Sequence, residues 1–248
     1  EILLKGAEDA FKAGSRRYCI VISARGPNDY EIDRLSVAVK KIKKKYDLSI
    51  CCSLGLLDNR QASILKESGV DRLNHNLNTS RNYYKNICST HTYEDRVETL
   101  KNARDNGLEL CSGVIFGQGE SDEDIIDVCE DLNRISPESI PVNFLNPIAG
   151  TPLENLHLMT PIKCLYLLAL MRFYNPTSEI RIAGGREIQL KSLQPLSLFP
   201  ANSIFVEGYL TTPGQASKEA HAMIKDMGFI PDFKGVSDSR KKEVDIRI

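Results

Sequence analysis

Four of the seven cysteines in this 248-residue chain fall in β-rich runs: Cys19, the adjacent pair Cys51 and Cys52, and Cys111. Thiolates are soft donors, and several turned toward one point form the ligand set of a soft metal ion or an iron–sulfur cluster. Side chains alternate between the two faces of a strand. If Cys19, Cys51 and Cys111 share the inner face, Cys52 therefore points the other way. The competing reading is packing, since a reduced cysteine behaves as a small hydrophobe. That reading covers Cys88, Cys129 and Cys164, which lie in helical or loop runs. A disulfide between neighbours is strained, and an odd, dispersed set of cysteines reads as that of a reducing cytoplasm. On the residues alone, cluster ligand and core filler both stand.

Other polar groups sit where a plain core would not place them. The run "LNHNLNTS" over 73–80 sets asparagines and His75 at a strand end, and Asn143 lies inside "IPVNFL". His75 has no second histidine close by at ligand spacing, so it is expected to be a hydrogen-bonded core residue. Arg181 is flanked by Ile180 and Ile182 on a presumed central strand. A buried guanidinium requires an anionic partner, and a salt bridge across the fold is one way to supply it. "GVIFGQGE" follows Cys111 directly. Glycines at a strand-to-helix turn allow a ligand close to the backbone, beside the positive end of the next helix.

The elements that must hold these residues alternate. Strands are expected at 17–23, 49–54, 72–77, 109–116, 139–145, 179–183 and 203–207. Helices are expected at 30–45, 59–68, 93–106, 122–134, 161–173, 186–196 and 216–227. Asp58, Thr92, Ser121 and Thr160 stand at helix starts, where a side-chain oxygen caps unpaired amides. Gly69, Gly107 and Gly228 stand at helix ends. Strand–helix units repeating about every 30 residues mean a parallel sheet. An open doubly wound sheet would carry a glycine-rich phosphate turn after its first strand, and none is found. The expected fold is therefore α/β, a (β/α)8 TIM-type barrel. The chain opens on Glu1, inside a helical pattern, with seven strands in view. The first βα unit is thus expected to lie outside this sequence. The barrel domain is expected over 1–233, followed by a polar, fraying tail over 234–248.

Composition narrows the partners. With 32 basic and 33 acidic residues the formal net charge is -1, so nothing recommends nucleic acid. No apolar run approaches the roughly 20 residues that cross a bilayer, and no signal peptide is seen. A cytoplasmic location is expected.

Together the motifs "AGSRRYC", "CCSLGLL", "LNHNLNTS", "TYEDR", "CSGVIFGQGE", "SIPVNFL", "GTPLE", "EIRIAGGRE" and "ANSIFVEGYLTT" resemble, in order, the biotin synthase family of radical S-adenosylmethionine (SAM) enzymes. The resemblance runs from about residue 13 to 232. Hydrogenase-maturation relatives share the barrel and glycine turn but not this ligand set. The resemblance implies a radical SAM barrel and sulfur insertion between two unactivated carbons of dethiobiotin, forming biotin. A [4Fe-4S] cluster would reduce SAM to methionine and a hydrogen-abstracting 5′-deoxyadenosyl radical. An auxiliary [2Fe-2S] cluster would supply the sulfur. Cys19, Cys51, Cys111 and Arg181 would ligate that auxiliary cluster, with Arg181 coordinating iron or balancing charge. Asn76, Asn78 and Arg96 would bind SAM, Arg96 through its carboxylate and Asn78 through its ribose. Asn76 and Asn143 would also hold dethiobiotin. An electron donor of the flavodoxin or ferredoxin type and a homodimer are implied as well. Two departures are visible. The family's Cys-x3-Cys-x2-Cys motif is absent from these residues, so the chain as it stands is expected not to cleave SAM. The ribose-facing position, usually Asp, is Asn78, which forgoes a charge-assisted hydrogen bond. Cys52 is an extra thiol that a bulge would turn toward the cluster.

Overall fold

The computed structural model describes residues 1–12, 15, 17–205 and 217–230. In chain order its elements begin α1 (Ile2–Lys12), β1 (Arg17–Val21), α2 (Asp29–Lys45), β2 (Ser49–Ser53), α3 (Asn59–Ser68) and β3 (Arg72–Asn74). Next come α4 (Tyr84–Ile87), α5 (Tyr93–Asp105), β4 (Glu109–Cys111), β5 (Val114–Phe116), α6 (Asp122–Ile135) and β6 (Ser139–Phe144). The chain continues with α7 (Pro161–Tyr174), β7 (Glu179–Ile182), α8 (Arg186–Leu190), a 3₁₀ helix (Lys191–Leu198), β8 (Ser203–Ile204) and α9 (Ser217–Asp226). The expected polar tail, and the end of the strand expected at 203–207, lie outside the described residues. So does the first residue of the helix expected at 216–227.

Local chemistry sets the helix starts. The side chains of Asp58, Thr92 and Ser121 each accept from the amide three residues on, whose own side chain accepts from the cap amide in return. This reciprocal arrangement satisfies two orphan donors at once. Thr160 caps α7, with Pro161 preset for the first turn. Asn28 caps α2 in the same reciprocal way, a start that hydrophobic periodicity alone does not reveal.

The chain folds as two compact units. Of the described residues, the first holds Glu1–Asn76 and Cys88–Cys111, and the second holds Leu77–Ile87 and those from Ser112 to Ile230. In the first unit β1, β2, β3 and β4 pair in parallel. Registered residues on neighbouring parallel strands face the same way, so the pairing gives each face of the sheet. One face carries Ile20, Ile50, Cys52, Leu73 and Leu110, all at most 4% exposed. Burying an aliphatic side chain of this kind contributes roughly 1.5–3 kcal/mol, so this apolar layer anchors the sheet. In the second unit β5, β6, β7 and β8 pair in parallel. There Val114, Phe116, Ile140, Val142, Phe144, Ile180, Ile182 and Ile204 share the apolar face.

Three expectations need correction. The strand expected over 109–116 is two strands, broken at Ser112 and Gly113. At Gly113 a Cβ would stand 1.9 Å from the Pro141 carbonyl oxygen, so the backbones approach too closely for a side chain. The helix expected over 186–196 turns 3₁₀ after Leu190, with Pro195 inside the tighter segment; proline lacks the amide that an α-helix needs there. The strand expected over 72–77 ends at Asn74. Among the described residues no helix is long and apolar enough to cross a membrane.

Candidate functional site

The thiols are brought together by register. Cys19 stands directly opposite Cys51, Cys51 opposite Arg72, and Arg72 opposite Glu109. Cys111 is opposite Asn74, two residues further along than Arg72 and Glu109. Cys19, Cys51 and Cys111 therefore share one face of the first unit's sheet, and Cys52 lies on the other. Cys51 and Cys111 are buried while Cys19 is exposed. The Cys51 thiol is pushed well above the usual cysteine range, first by its hydrogen bond with Cys19, then by burial, then by the charges of Cys19 and Cys111. Burial pushes Cys52 up to about 12, consistent with a thiol packed in the apolar layer. The charges that hold the Cys51 thiol protonated come first from its two neighbours on this face, and a positive centre among them would offset that effect. The chemistry of the three thiols fits an iron–sulfur cluster.

Asn74 supports this face in a way the sequence pattern did not single out. Its Nδ2 donates to Cys111 Sγ at 3.2 Å, and N–H donors to sulfur are among the groups that set a cluster's potential. On the same face Arg72 donates to Glu109 Oε2 from Nε at 2.9 Å and Nη2 at 2.7 Å. Arg72 is nearly buried and Glu109 half-exposed.

Two of the expected SAM residues lie in the first unit. Arg96 Nη1 donates to the Asn76 carbonyl at 2.7 Å, tying the start of α5 to the chain beyond β3. His75, between Asn74 and Asn76, departs from expectation. Its amide donates to the Cys111 carbonyl at 2.9 Å, yet its ring Nε2 is buried without a hydrogen-bond partner among the described residues. Burial, then the charges of Arg96 and His91, push its pKa down to about 3. The sign follows from linkage: from pH 6.5 downward the unfolded chain takes up a proton that the folded ring refuses until about pH 3. Stability is therefore expected to fall across that window as the solution is acidified. Urea unfolding of His75→Asn should lose less stability between pH 6.5 and 4.5 than the parent chain. Parallel curves would show that the folded ring accepts its proton normally.

The second unit has its own polar face. Ser139 is opposite Glu179, Pro141 opposite Arg181, Arg181 opposite Ser203, and Ile115 opposite Asn143. Arg181 is 6% exposed, contacts the Glu179 carboxylate through Nη2, and donates from Nε to Ser203 Oγ at 3.1 Å. Ser139 Oγ donates to Glu179 Oε1 at 2.9 Å, and the guanidinium stands 5.2 Å from the centre of the Phe205 ring. The anionic partner that Arg181 requires is thus two residues earlier on the same strand, not across the fold. Opposite charges two apart in "EIRI" were the signal for it. Asn143 Nδ2 donates to the Val114 carbonyl at 3.0 Å, and its Oδ1 accepts from the Gly184 amide at 2.9 Å. One N–H and one lone pair of that amide remain for other uses. Asn78 holds a left-handed φ of 72°, which asparagine tolerates better than most residues. Its amide donates to the Gly113 carbonyl at 3.0 Å, and its carbonyl accepts from Ile115 at 2.9 Å.

The glycine turn does not stand open. Glu120 accepts the amides of Gly117 at 2.6 Å and Gln118 at 2.7 Å, filling the backbone cradle with the chain's own carboxylate. Tyr83 Oη donates to the Gln118 carbonyl at 2.8 Å and closes the turn further.

Comparison with known proteins bears on both units. Residues 1–132 match the model of the Radical SAM superfamily, and residues 141–230 that of the Biotin and Thiamin Synthesis associated domain. A protein of Rhodopirellula baltica named biotin synthase is 54% identical over 229 residues, 92% of this chain and 64% of that protein. Another so named, from Geobacillus thermodenitrificans, is 52% identical over 233 residues, 94% of this chain and 70% of its own length. The chain thus spans about two thirds of the length of these relatives. Among solved structures, a methylornithine synthase aligns with a TM-score of 0.74 at 21% identity, over 93% of this chain and 72% of that one. The FeFe-hydrogenase maturase HydG of Carboxydothermus hydrogenoformans aligns at 0.73 and 16% identity, over 96% of this chain and 60% of that one. Likeness at such identity shows the fold alone: α/β, of the radical SAM TIM type.

Proposed function

Because the chain belongs to the biotin synthase family of the radical SAM superfamily, we propose that it serves the insertion of sulfur into dethiobiotin to form biotin. The observation that carries the reading is the shared face of Cys19, Cys51 and Cys111, with Asn74 donating to the third sulfur. When bound, the iron–sulfur groups would supply the electron that cleaves SAM and the sulfur that enters the product. This chain's residues would do the holding. Cys19, Cys51 and Cys111 would ligate an auxiliary [2Fe-2S] cluster as thiolates, with Cys52 packed behind them. Arg181 is the fourth group that the family resemblance assigns. Its contact with the Glu179 carboxylate and its bond to Ser203 support a guanidinium that balances charge rather than one that binds iron.

Asn76 and Arg96 would meet SAM, Arg96 by pairing with its carboxylate while Nη1 stays anchored on the Asn76 carbonyl. Asn78 would meet the ribose, and Asn76 and Asn143 the ureido ring of dethiobiotin, the latter through its remaining N–H. The [4Fe-4S] cluster would need the Cys-x3-Cys-x2-Cys segment, which is not among these residues. A flavodoxin- or ferredoxin-type donor, a homodimer and a cytoplasmic setting belong to the same proposal.

The test is anaerobic reconstitution of the chain within its full reading frame, with iron and sulfide quantified and dethiobiotin supplied. Biotin and 5′-deoxyadenosine are expected together. Formation of 5′-deoxyadenosine without biotin would leave a radical SAM enzyme of another substrate and overturn the specific claim.

A further inference from the structure

Cys19 and Cys51 are more than members of one face. They stand directly opposite each other on paired parallel strands, so their Cβ atoms leave the sheet side by side in the same direction. Neighbouring strands lie about 4.8 Å apart, inside the Cα separation of roughly 4.4–6.8 Å that a disulfide spans. The two thiols already share a hydrogen bond.

The other strand cysteines fail this geometry. Cys111 is on β4, two strands away from β2 and one row further along. Two strand spacings alone put its Cα about 9.5 Å from that of Cys51, beyond what a disulfide bridges. Cys52 leaves the opposite face of β2, and joining it to Cys51 along the chain is strained. One pair is left. Within it the sulfurs differ in access, Cys19 being exposed and Cys51 buried. The outer thiol can meet a reagent in solution, while the inner one is reached through its partner.

We propose that Cys19 and Cys51 form a reversible dithiol–disulfide pair in the metal-free chain, oxidised by a low-molecular-weight disulfide such as glutathione disulfide. Cys19 sulfur attacks one sulfur of the reagent, whose S–S bond breaks. The first glutathione leaves as a thiol, carrying the proton that Cys19 gives up. Cys51 sulfur then attacks Cys19 sulfur in the mixed disulfide, and the second glutathione leaves with the Cys51 proton. The two cysteines lose two electrons and the reagent gains them, so the exchange balances without another co-reactant. The second attack is intramolecular between side chains already in contact, which makes it fast against capture of a further reagent molecule. One consequence rests on the ligand role proposed above: the bridge withdraws two of the three thiols at once, so cluster loading requires its reduction.

The test equilibrates the anaerobically purified, metal-free 248-residue chain with glutathione disulfide, blocks free thiols by alkylation and maps the peptides. A Cys19–Cys51 bridge that dithiothreitol reverses is expected, with little glutathione left on Cys19. In Cys51→Ser, checked for an unchanged melting profile, the exchange stops half-way. Glutathione on Cys19 is then expected to rise at least about tenfold over the parent. A parent chain that keeps as much glutathione on Cys19 as the variant does would overturn the proposal. So would a bridge from Cys51 to Cys111 in its place, a result that the parent chain gives without any variant. Iron uptake, measured separately on the bridged and the reduced chain, bears on the ligand role alone: equal uptake by both would refute that role and leave the mapped bridge standing.

Discussion

Cys51→Ala is expected to strip the chain of the proposed auxiliary cluster, while Cys52→Ala retains it. The two residues are adjacent and both buried, so any difference must come from the direction in which each points. Cys51 shares its face with Cys19 and Cys111; Cys52 lies in the apolar layer with Ile20, Ile50, Leu73 and Leu110. Losing Cys51 would remove the middle of the proposed donor set, and the two sulfurs left could not complete a cluster site. Losing Cys52 leaves a small cavity, at a cost of about 1 kcal/mol. Iron and sulfide analysis after anaerobic reconstitution, read beside the visible absorption of the cluster, separates the two. Equal iron in the Cys51 variant would refute the ligand assignment. Loss from both variants would mean that β2 is bulged, with both sulfurs turned inward.

A second large effect is expected at Gly113. Its carbonyl accepts from Asn78, and a Cβ there would stand 1.9 Å from the Pro141 carbonyl oxygen and 2.8 Å from Pro141 Cδ. Neither neighbour can swing aside, since one is main chain and the other a closed ring. Gly113→Ala must therefore part β5 from β6 or unfold the second unit, at a cost on the order of 3–5 kcal/mol. Gly150→Ala is the control. Nothing lies within 4 Å of a Cβ at that site, and its φ of 82° makes the change a purely conformational one, worth roughly 1–2 kcal/mol. Denaturant midpoints compare the two. A Gly113 variant no less stable than the Gly150 variant would show that β5 and β6 have room to spare.

The contrast between these sites explains what could be read from the sequence. The thiol face was legible because parity is a local property: once Cys51 is placed on a strand, its neighbour must turn away. Helix starts at Asp58, Thr92, Ser121 and Thr160 were legible for the same reason, each cap being closed within four residues of itself. The break at Ser112 and Gly113 was not, because apolar residues continue through it and its cause sits on β6, almost 30 residues on. Glu120 folding back onto its own glycine turn was equally hidden. A carboxylate that satisfies amides two and three residues earlier looks, in sequence, like one that awaits a ligand. Glu179 lay in plain view, yet only the pairing of β6 with β7 shows Ser139 joining it to Arg181.

The doublet in β2 has a consequence for how this strand withstands mutation. A strand presents its residues alternately to two audiences, and inserting or deleting one residue ordinarily swaps them. At Cys51 and Cys52 a one-residue deletion ahead of the strand would bring Cys52 into the slot of Cys51, so the proposed ligand position keeps a thiol while its flanks change faces. Ile50 and Ser53 would be the casualties, an aliphatic group turned toward the donor face and a hydroxyl left among the apolar helices. One-residue deletions ahead of β2 should thus damage folding before they remove the thiol from the proposed ligand position.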